Sequence, residues 1–168
     1  MGELSHVTAA GDVRMVDVGA KPLSRRRAVA RATVRMASGT LRQLRDLPKG
    51  DALTTAQLAG IMAAKRTPDI VPLCHPLPLT MVDVEPVLDD EGVTVTAAAE
   101  TTAQTGVEME ALSAVAAAAL TVYDMTKGLD PNSSIEHICL VEKSGGKSGD
   151  WRREARWSEP FSDSRDDA

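Results

Sequence analysis

Aromatic side chains are nearly absent from this 168-residue chain, where Phe, Trp and Tyr together make up 2%. Trp151, Trp157 and Phe161 fall in the last eighteen positions, leaving Tyr123 alone in the body of the sequence. The core must then be built from Ala, Val, Leu, Ile and Met, whose small volumes let helices, sheets and subunits approach closely. Cysteine is also scarce. Cys74 and Cys139 are too few for a disulfide framework. No apolar run approaches the roughly 20 residues of a membrane span, and the start "MGELSHVTAAGDVRMVDVGAK" lacks the basic region and apolar block of a secretory signal. The expectation is a soluble, cytoplasmic, single-domain protein.

An excess of positive charge is missing as well. The formal net charge of −5 argues against a general nucleic-acid binder. The charge is nevertheless uneven: Lys21, Arg25, Arg26, Arg27, Arg31, Arg35, Arg42, Arg45 and Lys49 are opposed only by Asp46, and an acidic block runs from Asp83 to Glu91. One basic face on an acidic protein suits a small anionic ligand, or is simply a solvated strand and helix surface.

Residues 1–24 read as an arm. "RAVARATVRM", Arg27 to Met36, alternates as a strand, and Thr40 to Leu47 reads as a short helix stopped by Pro48. "LTTAQLAGIMAAKRTPDIV" predicts a helix of about three turns, with Thr54 or Thr55 as N-cap and Leu58, Ile61 and Met62 as its apolar face. "LTMVDVEPVL" and "GVTVTAAAETT" predict a hairpin turning at "DDEG". A long helix follows in "TGVEMEALSAVAAAALTVYDMTKG", with Thr105 and Glu108 at capping-box spacing and Gly128 at C′. "IEHICLVE", Ile135 to Glu142, is the last strand. This β-α-β-β-α-β order predicts an α+β, ferredoxin-like fold, an antiparallel sheet with helices packed on one face.

Along the long helix, Glu110 and Asp124 are fourteen residues apart. That places them about 40° apart around the axis but roughly 21 Å apart along it. Two groups so separated cannot serve one small substrate within one chain. Either they reach different parts of an extended ligand, or a symmetry-related subunit brings the second end to the first. The plainer alternative is a cap at Glu108 and a surface ion pair between Asp124 and Lys127.

The stretch "VPLCHPLPLT" sets Cys74 beside His75 among three prolines. Adjacent side chains in an extended segment point to opposite sides, and no second Cys or His cluster completes a ligand set, so neither a zinc site nor a Cys–His nucleophile is expected. The stretch reads as a rigid wall presenting His75, or as a packed turn. "GGKSG" is not a Walker loop, because position 141 holds Val141 where that pattern needs Gly. Its glycines, with Lys143 and Lys147, can still wrap phosphates through backbone N–H groups.

Taken together, "MVDVGAK", "KGD", "AGIMAAKRTPDIVPLCHPL", "TGVEMEAL", "ALTVYDMTKG" and "KSGGKSGDW" resemble, in order and spacing, the MoaC family of molybdenum cofactor biosynthesis, the cyclic pyranopterin monophosphate synthases. The resemblance covers roughly residues 4–151. It implies one ferredoxin-like domain over 1–151 with an N-terminal arm, followed by 152–168, which match nothing and read as a charged, disordered tail. It further implies a homohexamer, a trimer of dimers with interfacial sites and no nucleic-acid or membrane partner. The implied activity is that of a lyase: 3′,8-cyclo-7,8-dihydroguanosine 5′-triphosphate rearranges to cyclic pyranopterin monophosphate with release of pyrophosphate.

Carried over motif by motif, the resemblance implies Asp124, Lys127 and Lys49 as catalytic residues, and Leu73, Cys74, His75, Met109 and Glu110 as substrate-binding residues. Asp17, Lys21, Lys65, Glu108, Lys143 and Lys147 match further motif positions. No metal site and no required cofactor are implied, while Mg²⁺ accompanying the triphosphate stays open. The chain departs from the family pattern at Gln104, where many relatives carry Lys, and at Thr126, where relatives often carry Cys or an aliphatic residue. The alternative to an enzyme is a non-catalytic, oligomeric purine-nucleotide-binding domain that uses the same basic face; a purely structural assembly subunit would bind no nucleotide.

Overall fold

A computed structural model describes residues 11–44 and 51–154. β1 (Ser24–Arg35) leads through α1 (Ser38–Gln43), α2 (Ala52–Ala64) and α3 (Thr67–Ile70) to a hairpin of β2 (Leu79–Leu88) and β3 (Gly92–Ala103). α4 (Glu108–Thr126) then returns the chain to β4 (Ser134–Ser144) and a two-residue β5 (Trp151–Arg152). The strands pair antiparallel in the order β2-β3-β1-β4-β5, which is the expected ferredoxin-like arrangement with one strand added at an edge.

Alternation decides the two faces of the sheet. Ala28, Ala30, Ala32 and Val34 of β1 and Val93, Val95, Ala97 and Ala99 of β3 are buried toward the helices. The opposite face of β1 carries Arg25, Arg27, Arg31 and Arg35. Arg27 Nη1 donates to Glu142 at 2.5 Å, Arg25 pairs with Glu100 at 2.8 Å, and Arg35 pairs with Glu136 at 2.8 Å. Within β1, Arg25, Arg27 and Arg35 of the basic run thus lie on a strand face and are paired with carboxylates of neighbouring strands. β1 starts at Ser24, three residues before the predicted Arg27.

The hairpin falls where the sequence placed it. The Asp89 carboxylate accepts from Glu91 N and Gly92 N at 2.9 Å each and from Thr94 Oγ1 at 2.9 Å, which closes the turn. Pro86, which cannot donate to a ladder, sits on edge strand β2.

Three local expectations are corrected. The N-cap of α2 is Asp51 rather than Thr54 or Thr55: its Oδ1 accepts from Leu53 N at 2.9 Å and Thr54 N at 3.1 Å. The buried face of α2 is Ala52, Ala56, Gly60 and Ala64, whereas Leu58 and Met62 are exposed. The reason is close approach, since a Cβ on Gly60 would lie 2.9 Å from the Ala114 carbonyl oxygen of α4, and only small residues fit that seam. The Thr105–Glu108 capping box does not form: Val107 is the N-cap of α4 and makes no side-chain cap bond, because Glu108 is turned to Lys143.

α1 begins two residues before the predicted Thr40, and residues 45–47 of that prediction lie outside the described residues. Asp130, after α4, fixes the entry to α1 by accepting from Ala37 N at 2.7 Å, a bond that also holds its own carboxyl below the usual range. β4 carries the pairing into β5, and Arg153 N donates to Val141 O at 2.8 Å, so Arg152 and Arg153 of the expected tail are paired with β4. Residues 155–168 of the expected tail lie outside the described residues. Among the described residues no helix is long and apolar enough to cross a membrane.

Candidate functional site

β1 begins, β3 ends, α4 begins and β4 ends at one end of the sheet, with Ser24 opposite Ala103 and Arg27 opposite Ser144. The Pro-rich stretch arrives there too, since Thr101 Oγ1 donates to Pro78 O at 2.8 Å. Val71 O accepts from Cys74 N at 2.9 Å, making a β-turn with Pro72 and Leu73 at its corner, so "VPLC" is indeed a stiff turn.

That turn has a chemical consequence. Cys74 Sγ lies 3.7 Å from Glu110 Oε1 and donates to it. Glu110 is only 1% exposed, and its Oε2 has no partner. Burial, then the neighbouring carboxylate, pushes the Cys74 thiol up to about 11, and burial likewise raises Glu110 above the ordinary carboxylate range. A thiol held this way is a hydrogen-bond donor rather than a nucleophile.

Two residues earlier on α4, Glu108 Oε1 accepts from Lys143 Nζ at 2.9 Å, joining α4 to β4. The cluster thus gathers Cys74, Glu108, Glu110 and Lys143 from three separate motifs, with Leu73 and His75 half-buried beside it in the turn and Met109 exposed on the first turn of α4. Lys65 is the exposed C-cap of α2. Asp17 folds the N-terminal arm, accepting from Gly19 N at 2.8 Å, while Lys21 N donates to Val18 O at 2.9 Å. Lys147 lies in the glycine loop after β4, where Gly145, Gly146 and Gly149 all have positive φ.

Asp124 and Lys127 stand at the other end of α4. Lys127 Nζ is 2.7 Å from Asp124 Oδ1, both side chains are exposed, and the hydrogen bond to Asp124 raises the lysine pKa. Nothing within the described chain carries this pair to the Cys74–Glu110 cluster. Lys49 lies outside the described residues.

Two residues at this end of the sheet have partners that the sequence does not show. Arg26 belongs to the basic run, yet it shares its parity with buried Ala28 and Ala30; an arginine at an inward-facing strand position is the signal that it has a partner. Its Nε donates to Ala103 O at 3.0 Å and its Nη2 to Gln104 O at 3.1 Å. Gln104, in turn, donates from Nε2 to Gly19 O at 3.1 Å.

Comparison with known proteins agrees with these motifs. A match to the MoaC family spans residues 15–146. A protein from Roseiflexus sp. (strain RS-1) named cyclic pyranopterin monophosphate synthase is 56% identical over 155 residues, covering 90% of this chain and 98% of that protein. Proteins of the same name from Novosphingobium aromaticivorans and Corynebacterium glutamicum are each 53% identical, covering 90% of this chain and 98% of theirs.

Proposed function

This chain belongs to the MoaC family, and on that premise we propose that it is a cyclic pyranopterin monophosphate synthase of molybdenum cofactor biosynthesis. Its substrate is 3′,8-cyclo-7,8-dihydroguanosine 5′-triphosphate, and it acts as a lyase that closes a cyclic monophosphate and releases pyrophosphate. The observation that carries the reading is the cluster itself: side chains from separate motifs meet at one end of the sheet, where one carboxylate pairs with a thiol donor and another with a lysine.

Opening a purine-derived ring and rebuilding it as a pterin needs repeated proton transfers, and attack at the α-phosphorus needs cations against the triphosphate. Lys21, Lys143 and Lys147 supply positive charge for the phosphates. Glu110, with its raised pKa and its unpartnered oxygen, supports binding of the reacting ring together with Leu73, Cys74, His75, Met109 and Glu108. Lys127, whose ammonium is retained through Asp124, is a proton donor in this state, and Lys49 completes the catalytic set. Asp17 shapes the arm that carries Lys21, and Lys65 adds charge at the C-terminus of α2.

The roughly 21 Å between Glu110 and Asp124 supports a shared site in which one copy contributes the Cys74–Glu110 end and another the Asp124–Lys127 end, within a symmetric hexamer. Any Mg²⁺ enters with the triphosphate rather than as a resident ion. A cytoplasmic location accords with a nucleotide substrate.

The test is to supply enzymatically made cyclised GTP and follow pyrophosphate release and the fluorescent oxidised pterin together, with Lys49→Ala and Asp124→Ala alongside. Both signals appear with the parent and vanish in the variants if the reading holds. Binding without either product makes the chain a nucleotide-binding relative instead.

A further inference from the structure

We propose that Gln104 is a positioning residue that latches the N-terminal arm onto the triphosphate end of the site, an inference that rests on the function proposed above. Gln104 takes part in two bonds in opposite directions. Its main-chain oxygen is held by the Arg26 guanidinium at 3.1 Å, beside the bond from Arg26 Nε to Ala103 O at 3.0 Å. Its side-chain amide then donates to Gly19 O at 3.1 Å, eighty-five residues earlier in the chain.

Gly19 is the centre of a small folded turn. Its own N–H is taken by Asp17 at 2.8 Å, and Lys21 N closes on Val18 O at 2.9 Å, so holding the Gly19 carbonyl holds Lys21. The same Arg26 guanidinium also abuts the glycine loop. A Cβ on Gly146 would meet the guanidinium, and its φ of +75° is a backbone conformation that favours glycine, which lets the loop pass close to Arg26. Gly146 immediately precedes Lys147, and Lys143 four positions before it is tied to Glu108 at 2.9 Å.

The arm that carries Lys21 is therefore held by the amide and the loop that carries Lys147 packs against the guanidinium, while Lys143 is held separately by Glu108. Fixing these cations in advance lowers the ordering cost of binding a triphosphate.

The experiment compares the full-length parent with Gln104→Ala and Gln104→Met, the latter keeping the length of the side chain without its N–H. Hydrogen exchange over residues 16–22 and affinity for GTP and for guanosine are measured. The expected result is faster exchange over 16–22 and a GTP Kd raised about threefold to tenfold, the worth of one hydrogen bond, with guanosine affinity unchanged. Unchanged exchange, unchanged GTP affinity, or an equal loss for GTP and guanosine overturns the latch. If the parent itself neither binds GTP nor releases pyrophosphate from cyclised GTP, it is the functional reading that fails.

Discussion

Cys74 donates its thiol hydrogen to Oε1 of buried Glu110 across 3.7 Å, so the one thiol in the cluster and its most buried carboxylate form a single proton-holding unit. With its pKa pushed up to about 11, the thiol is almost wholly protonated at pH 8. Against an ordinary cysteine, its thiolate fraction falls by about two orders of magnitude, and greater intrinsic nucleophilicity returns roughly one. Alkylation of Cys74 by iodoacetamide at pH 8, read by peptide mass spectrometry, is expected to run about tenfold slower than for a free cysteine peptide. A rate equal to the peptide's would contradict the pairing.

Glu110 predicts a pH dependence of stability. Its folded pKa is raised by burial, so the folded state keeps its proton at pH values where the unfolded chain has lost it. Stability from this group is fully present below the unfolded value of about 4.3 and is lost as pH rises toward the folded value. Asp51, Asp130 and Glu136 are shifted the other way, so the clean observable is a difference between proteins. The Tm of Glu110→Gln minus that of the parent should grow more positive from pH 4.5 to pH 7. A flat difference would mean that Glu110 titrates alike in both states.

Gly60 makes a third case, because helix propensity and packing disagree in sign. In an exposed helix Gly→Ala gains up to about 1 kcal/mol. Here the added methyl meets the Ala114 carbonyl oxygen at 2.9 Å and Val84 Cγ1 at 3.0 Å, and overpacking costs about 1–3 kcal/mol. Gly60→Ala is expected to lower Tm by several degrees, whereas Gly39→Ala in α1, whose nearest neighbour is the Arg42 side chain at 3.9 Å, leaves it level or raises it. Equal effects at the two positions would sink the argument for a small-residue seam.

Much of this fold is legible in the sequence because strand alternation and turn chemistry are local. "DDEG" supplies its own closing bonds through Asp89, and β2 runs over the residues predicted for it. What eludes the sequence is long-range. The buried face of α2 is set by α4, so Ala56 and Gly60 go inward while Leu58 and Met62, the more apolar residues, stay out. Glu108 has the spacing of a cap, but Lys143, thirty-five residues on, is a stronger partner than the backbone it would have capped. The site divides in the same way. Motifs name Cys74 and Glu110 separately, and only the turn at Pro72 makes them neighbours. Gln104 stands out in the sequence merely as a departure from the family pattern; its bond to Gly19 depends on an arm folding back across the sheet end.

The most direct test of the account is subunit complementation between the two ends of α4. Lys127→Ala and Lys143→Ala, each expected to be inactive alone toward cyclised GTP, are unfolded together in equal amounts, refolded and assayed for pyrophosphate release. If one active site draws on both ends from different copies, random pairing restores about a quarter of parental activity, since half the pairs are mixed and each mixed pair has one intact site of two. Activity that stays at the level of the separate variants, in assemblies of parental size, would contradict the shared site.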